Sequence, residues 1–200
     1  MIMPSYIDSH THIVYAGNRE QEFVDRINGL SYDEIYQRGG GILNSVEKLR
    51  NTSEDELYSD AANRLEELIA QGTGVIEIKS GYGLNLEAEL KMLRVVKKLQ
   101  ENYPVKIKAT FLGAHAVPPE FKGNQAAFVE EICKVMIPEI AKQGLADYVD
   151  AFLETGYFTV DETKKIIKAA TGHGLKSKIH INQFTAINGI EMCVEENVLT

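Results

Sequence analysis

The sequence predicts an α/β domain that is part of a (β/α)8 TIM-type barrel, about its first five βα units. Three observations lead there. Short β-branched runs alternate with longer stretches of helical period along the whole chain. The residues able to do chemistry (His10, His12, Tyr82, His115, Glu154 and His180) fall at or just after successive strands, where a barrel keeps its active site. No glycine-rich phosphate turn follows a strand, which weighs against a doubly wound open sheet.

The first strand is read over residues 4–13. Residues 17–41 read as a long, irregular, polar connection ending in Gly39-Gly40-Gly41, and such a loop is more often functional than idle. Ser53 with Glu56 reads as a capping box, opening a helix whose apolar face is Leu57, Ala61, Leu65, Leu68 and Ile69, with Gly72 ending it. A strand over 74–79 is followed by the tight loop Gly81-Tyr82-Gly83. A helix over 85–102 carries Leu86, Leu90, Leu93, Val96 and Leu99 on one face. The third strand, 105–112, leads to a loop stiffened by Pro118-Pro119. The helix after it, 125–143, contains Pro138 and must kink or break there. A fourth strand over 148–153 ends at Glu154-Thr155-Gly156. Thr159 and Glu162 cap a helix to His173, a fifth strand covers 176–181, and a further helix begins at 188.

The composition, 44% hydrophobic and 25% charged over 200 residues, is that of one ordinary globular domain: residues 1–200 read as a single, incomplete barrel domain. A net charge of -8 argues against a nucleic-acid backbone or an anionic membrane as the partner, while leaving room for a small anionic substrate. No apolar run approaches the roughly 20 residues of a membrane span. The first residues lack the pattern of a secretory signal. Cys133 and Cys193, far apart and each in an apolar helical pattern, read as reduced buried thiols, so a cytoplasmic setting is expected. The chain opens on a strand and stops as another apolar segment begins, the expected look of a piece of a longer protein.

His10 and His12, two apart on a strand, point to the same side and can reach one metal ion. His180, in an otherwise apolar and basic strand, is the third candidate ligand, and three histidines with an open position describe a catalytic site. Such an ion lowers the pKa of bound water enough to attack a carbonyl or amidine carbon near neutral pH. His115 is read as a ligand, a general acid or base, or a donor to a substrate oxygen. Arg19 can clamp a carboxylate by two parallel hydrogen bonds. Tyr82, between two glycines, is an aromatic hydroxyl on a close-approach loop. His173, at a helix end, reads as structural, since a histidine there suits the helix dipole.

Four stretches, DSHTHIVYAGNREQEF (8–23), KSGYGLNLEAELKMLR (79–94), TFLGAHAVPPE (110–120) and KIHINQF (178–184), resemble the imidazolonepropionase family of metal-dependent amidohydrolases. The resemblance spans nearly the whole chain. It implies hydrolysis of the ring C–N bond of 4-imidazolone-5-propanoate to N-formimidoyl-L-glutamate, a step of histidine breakdown. It implies His10, His12 and His180 as ligands of one Zn or Fe ion, and Arg19, Tyr82 and His115 as substrate contacts: Arg19 on the propanoate, Tyr82 on the ring, His115 on the ring carbonyl. Many family members carry a glutamate where this chain has Gln183. Gln183 can still bond the substrate in the catalytic site but cannot take a proton. The family's further aspartate ligand, a histidine on the next strand and a small β-sandwich are expected outside these residues. A homodimer is the assembly entertained for the full-length protein. The other readings are a different amidohydrolase (a ring deaminase or cyclic-amide hydrolase) and a non-catalytic fragment, poorly soluble because its sheet edge is open.

Overall fold

The computed structural model describes residues 3–31, 34 and 41–200; Gly39 and Gly40 of the glycine run lie outside them. One parallel sheet runs through the domain in the order β1 (Tyr6–Thr11), β2 (Thr73–Lys79), β3 (Lys106–Ala114), β4 (Tyr148–Leu153) and β5 (Lys176–Ser177), with β6 (His180–Ile181) also paired to β4. Every pair is parallel, as in Lys79 beside Thr110, Phe111 beside Val149 and Phe152 beside His180. Sequential order without reversal is the arc of a barrel; a doubly wound sheet would turn back on itself.

Within β2 and β4 the side chains sort by period two. Ile76, Ile78, Val149 and Ala151 join the apolar core with Ile107 and Ala109 of β3. Against them pack Leu57, Ala61 and Leu65 of a helix spanning Glu54–Ala70 and Met92, Leu93, Val96 and Leu99 of the helix Leu86–Asn102, all fully or nearly buried. Burying each such leucine contributes roughly 1.5–3 kcal/mol. The alternate residues Glu77, Lys79 and Asp150 are charged yet also buried, and they lie on the side that carries the histidines.

The structure differs from the sequence-based expectation in five places. β1 is shorter than residues 4–13, because the carbonyls of Ile13 and Tyr15 accept hydrogen bonds from the Arg64 guanidinium (2.9 and 3.0 Å), which also lies 3.6 Å over the Tyr15 ring. The irregular connection contains a helix, α1 (Glu20–Ile27), whose Phe23 and Ile27 face solvent and so give no core-facing stripe. A second helix, α2 (Ile42–Asn51), buries Val46 and Leu49 before the expected cap at Ser53. At α3 (Glu54–Ala70) the capping box is half made: Ser53 Oγ accepts from the Glu56 amide (3.2 Å), but Glu56 stays exposed and returns no bond. The fifth strand is split, because the amides of Ile179 and His180 turn away from the ladder, to the Thr200 carbonyl (2.8 Å) and to Asp150 Oδ1 (3.0 Å).

The helix Leu86–Asn102, α4, starts at Asn85, whose side chain accepts from the Ala88 amide. The stretch over 125–143 is broken as expected: α5 (Gln125–Glu131) and α6 (Ile137–Gln143) are joined by a π turn, Ile132–Met136, just ahead of Pro138. A proline cannot donate to the carbonyl four residues back and crowds it, and the wider turn relieves both. Thr159 and Glu162 complete a full capping box on α7 (Val160–Gly172), and α8 (Gly189–Glu195) follows β6. His173 is the C-cap of α7. Cys133 and Cys193 are free and half-buried, and burial pushes both thiols up, Cys133 to about 11. Among the described residues no helix is long and apolar enough to cross a membrane.

Candidate active site

His10 lies one residue before the end of β1 and His12 directly after it, with ring centroids 5.5 Å apart. His180 opens β6, and its ring packs edge-on against His10 at 4.6 Å. His180 Nδ1 lies 2.7 Å from Asp150 Oδ2. A carboxylate accepts only, so His180 donates there and its Nε2 keeps a lone pair. That nitrogen stands 3.1 Å from Nε2 of His10.

Behind His180 runs a chain of buried charges. Asp150 is 3.0 Å from Lys79 Nζ, and Lys79 Nζ is 2.6 Å from Glu77 Oε1. Glu77 also accepts from Thr110 Oγ1 (2.7 Å) and from Lys178. Burial alone would raise the carboxyl of Asp150, but the His180 hydrogen bond and the Lys79 charge hold it below the usual carboxylate range. Glu77 is lowered in the same way, by Lys178, Lys79 and Thr110 against burial. Asp150, held ionised in this way, fixes the tautomer and the ring plane of His180.

The site has a second group of rings. His12 lies 5.3 Å from Tyr82 and 5.7 Å from His115, and Tyr82 lies 5.6 Å from His115. His115 Nδ1 is 3.0 Å from the Gly81 carbonyl; a carbonyl only accepts, so Nδ1 carries the hydrogen and Nε2 is bare. That tautomer suits proton acceptance at Nε2 better than donation to a ring carbonyl. Burial lowers His12 to about 3, helped by the neighbouring His115 and His10, and lowers His115 to about 4. Burial also pushes the Tyr82 phenol up. Gly81 has φ +107°, and a Cβ there would meet the Leu112 carbonyl at 2.8 Å and His115 Nδ1 at 3.0 Å. Only glycine lets the Tyr82 loop approach the His115 loop this closely.

These imidazoles fit a transition metal in donor chemistry. Two nitrogens bound to one ion at about 2.0–2.1 Å stand about 2.8–3.4 Å apart at angles from about 90° to tetrahedral, a range that includes the spacing of His10 and His180. His12 Nδ1 is buried with no hydrogen-bond partner, the state of a donor atom waiting for an acceptor. Among the described residues, however, no group of three or more His, Cys, Asp or Glu side chains is gathered tightly enough to hold an ion. The arrangement is two converged imidazoles with His12 beside them, short of a preformed trio of His10, His12 and His180.

Arg19, at the N-cap of α1, donates from Nε to Ser45 Oγ at 3.0 Å and has Glu22 at 3.9 Å. A cleft of about 220 Å³ brings Arg19, Tyr82, His115, His180 and Gln183 to one wall system, with Phe152 and Phe184 as its apolar part. A second hollow of about 260 Å³ extends from His12 and Tyr82 past Arg19 to Asn18. Sequence reading missed Glu77, Lys79 and Asp150. The available signal was charge inside otherwise largely apolar strands, Glu77 and Lys79 alternating with isoleucine in β2 and Asp150 between valine and alanine in β4.

No family model matches the chain. Curated relatives do, end to end. It is 62% identical to an imidazolonepropionase of Flavobacterium johnsoniae over 200 residues, all of this chain and 49% of that protein. A second, from Flavobacterium psychrophilum, matches at 62% with the same coverage, and one from Paraburkholderia phymatum at 44% over 199 residues, again 49% of its length. The chain thus spans about half the length of the curated relatives it matches. Among solved structures, an adenine deaminase from Arthrobacter aurescens superposes with a TM-score of 0.61 at 16% identity, covering 98% of this chain and 63% of that one. At that identity the likeness is one of fold.

Proposed function

We propose that this chain, which belongs with the imidazolonepropionases along its whole length, supplies the first half of an active site that opens the ring of 4-imidazolone-5-propanoate to give N-formimidoyl-L-glutamate. The observation that carries the reading is the single cleft in which Arg19, Tyr82, His115, His180 and Gln183 meet. It holds a cation for a carboxylate, an aromatic hydroxyl for a ring, and imidazoles for an acyl centre.

In this reading Arg19 clamps the propanoate, and Ser45 steadies the guanidinium. Tyr82 packs on or bonds the ring. His10, His12 and His180 would hold one Zn or Fe ion, which when bound supplies a water acidic enough to attack at neutral pH. The water oxygen ends on the ring carbonyl carbon, the C–N bond breaks, and the ring nitrogen takes a proton. His115, with Nδ1–H given to Gly81, can accept a proton at Nε2. Gln183 can bond the substrate but cannot shuttle a proton.

The test is turnover of the cyclic substrate by the full-length protein, with metal analysis. His12→Ala is expected to abolish turnover. Arg19→Ala is expected to raise KM by about 10- to 150-fold, the value of a charge-assisted hydrogen bond of roughly 1.5–3 kcal/mol. Full activity with no metal present would overturn the reading, and unchanged kinetics in Arg19→Ala would point to a ring without that carboxylate.

A further inference from the structure

Glu154 directly follows β4, 2% exposed, and none of the roles above uses it. Its main chain is pinned by its own turn: the Glu154 amide donates to the Phe158 carbonyl (3.3 Å), and the Tyr157 amide donates to the Glu154 carbonyl (2.9 Å). Its carboxylate collects donors from two places. Oε1 accepts from the Thr155 amide (2.8 Å) and from the Thr185 hydroxyl. Oε2 accepts from the amides of Phe184 (2.8 Å) and Thr185 (3.3 Å), thirty residues further along. Thr155 and Thr185 also join hydroxyl to hydroxyl at 2.7 Å.

These bonds bracket Gln183. On one side β6 is fixed to β4, Phe152 beside His180 and Leu153 beside Ile181. On the other, Phe184 and Thr185 are fixed to Glu154. Only Asn182 and Gln183 lie between the two anchors, and Asn182 takes a left-handed turn at φ +55°. A two-residue span with both ends held has little freedom, so the anchors decide where the Gln183 amide stands. The second anchor also sets the Phe184 ring 6.3 Å from Phe152, across the apolar wall of the cleft.

We propose that Glu154 is a positioning residue: from the end of β4 its carboxylate ties down the loop after β6 and so sets Gln183 and Phe184 in the cleft. The proposal rests on the reading of that cleft as the substrate site. A carboxylate that accepts the Thr185 hydroxyl and three amides is held low, at about 2, so it accepts as an anion at neutral pH.

The full-length protein tests this by two separate readouts. In Glu154→Gln, which keeps the shape but turns an amide nitrogen toward amide donors, hydrogen exchange at Phe184 and Thr185 is expected to accelerate at least about tenfold. Thr185→Val, a milder change, is expected to accelerate it less. KM for the cyclic substrate is expected to rise about five- to tenfold in Glu154→Gln and in Gln183→Ala, the value of one lost hydrogen bond. The double variant is expected to be no worse than the poorer single one, because Glu154 acts through Gln183. Unchanged exchange in both anchor variants, or KM effects that multiply in the double variant, would overturn the proposal. If the wild-type protein opens no such ring, the functional reading fails, while the exchange experiment still decides the anchor.

Discussion

The loops after β2 and after β6 are each gathered by one glutamate, and the two glutamates do it in opposite ways. Glu89, in the first turn of α4, reaches back a few residues to accept the amides of Gly81 (3.1 Å), Gly83 (2.8 Å) and Leu84 (2.9 Å). It is wholly buried, and loss of water outweighs those bonds, so its carboxyl is raised. Glu154 reaches across to a separate βα unit, and there the Thr185 hydroxyl and the amide donors outweigh loss of water, lowering it to about 2. The first device stiffens a turn from beneath. It holds Leu84 in a left-handed conformation, φ +52°, that a leucine otherwise avoids. The second device fastens one strand's end to the next unit's loop. Both loops carry a candidate substrate contact, Tyr82 in one and Gln183 in the other, so the rim is built once by local and once by long-range bonding.

The contrast is broken most directly by deleting the local glutamate. Glu89→Ala leaves three amides without an acceptor, those of Gly81, Gly83 and Leu84, all on buried residues. At about 1–3 kcal/mol for each unsatisfied group, the full-length protein is expected to lose at least about 3 kcal/mol in chemical denaturation. Glu154→Ala is expected to lose clearly less, because Thr155, Phe184 and Thr185 are exposed and water can replace the carboxylate. Equal losses would mean that the two cradles do not differ in the way their burial indicates.

Glycines in the loops that hold Tyr82 and Glu154 sharpen the same comparison at smaller cost. Gly81→Ala sets a Cβ against the Leu112 carbonyl at φ +107° and is expected to cost about 2–3 kcal/mol, with a shifted Tyr82 and a raised KM. Gly156, in the turn after β4, has φ +84°, and a Cβ there would meet nothing within 4 Å. Gly156→Ala therefore meets only the backbone penalty, about 1–2 kcal/mol, and KM is expected to hold. Denaturation midpoints and KM values for the pair distinguish a packed loop from an open one.

How much of this could be read from the chain depends on how far each bond reaches. β2, α4 and the Thr159–Glu162 cap were readable because period, β-branching and capping act within a few residues. His10, His12 and His180 stood out as histidines near strand ends. The approach of His10 to His180 joins residues 170 positions apart, which no local pattern encodes. The buried chain Glu77–Lys79–Asp150 went unread because it closes only across strands, Lys79 to Asp150 of β4 and Glu77 to Lys178. α1 went unread because its apolar residues, Phe23 and Ile27, face solvent. Glu154 was marked by its place after a strand, but its work lies in donors thirty residues on.

The two glutamates also differ in sign with pH. A glutamate raised above its ordinary 4.5, as Glu89 is by burial, binds its proton more tightly when folded. Its contribution to stability is full below 4.5 and is lost as pH rises through the folded value. Glu154, lowered from 4.5 to about 2 by the Thr185 hydroxyl and the backbone donors, contributes above 4.5 and loses that contribution as pH falls toward 2. Glutamine titrates at neither site. The stability of the wild type relative to Glu89→Gln is therefore expected to fall as pH rises from 4.5, and relative to Glu154→Gln to rise as pH climbs from about 2 to 4.5. Denaturation midpoints of the three proteins from acid to neutral pH measure both slopes. Two slopes of the same sign would show that the two carboxylates are held alike.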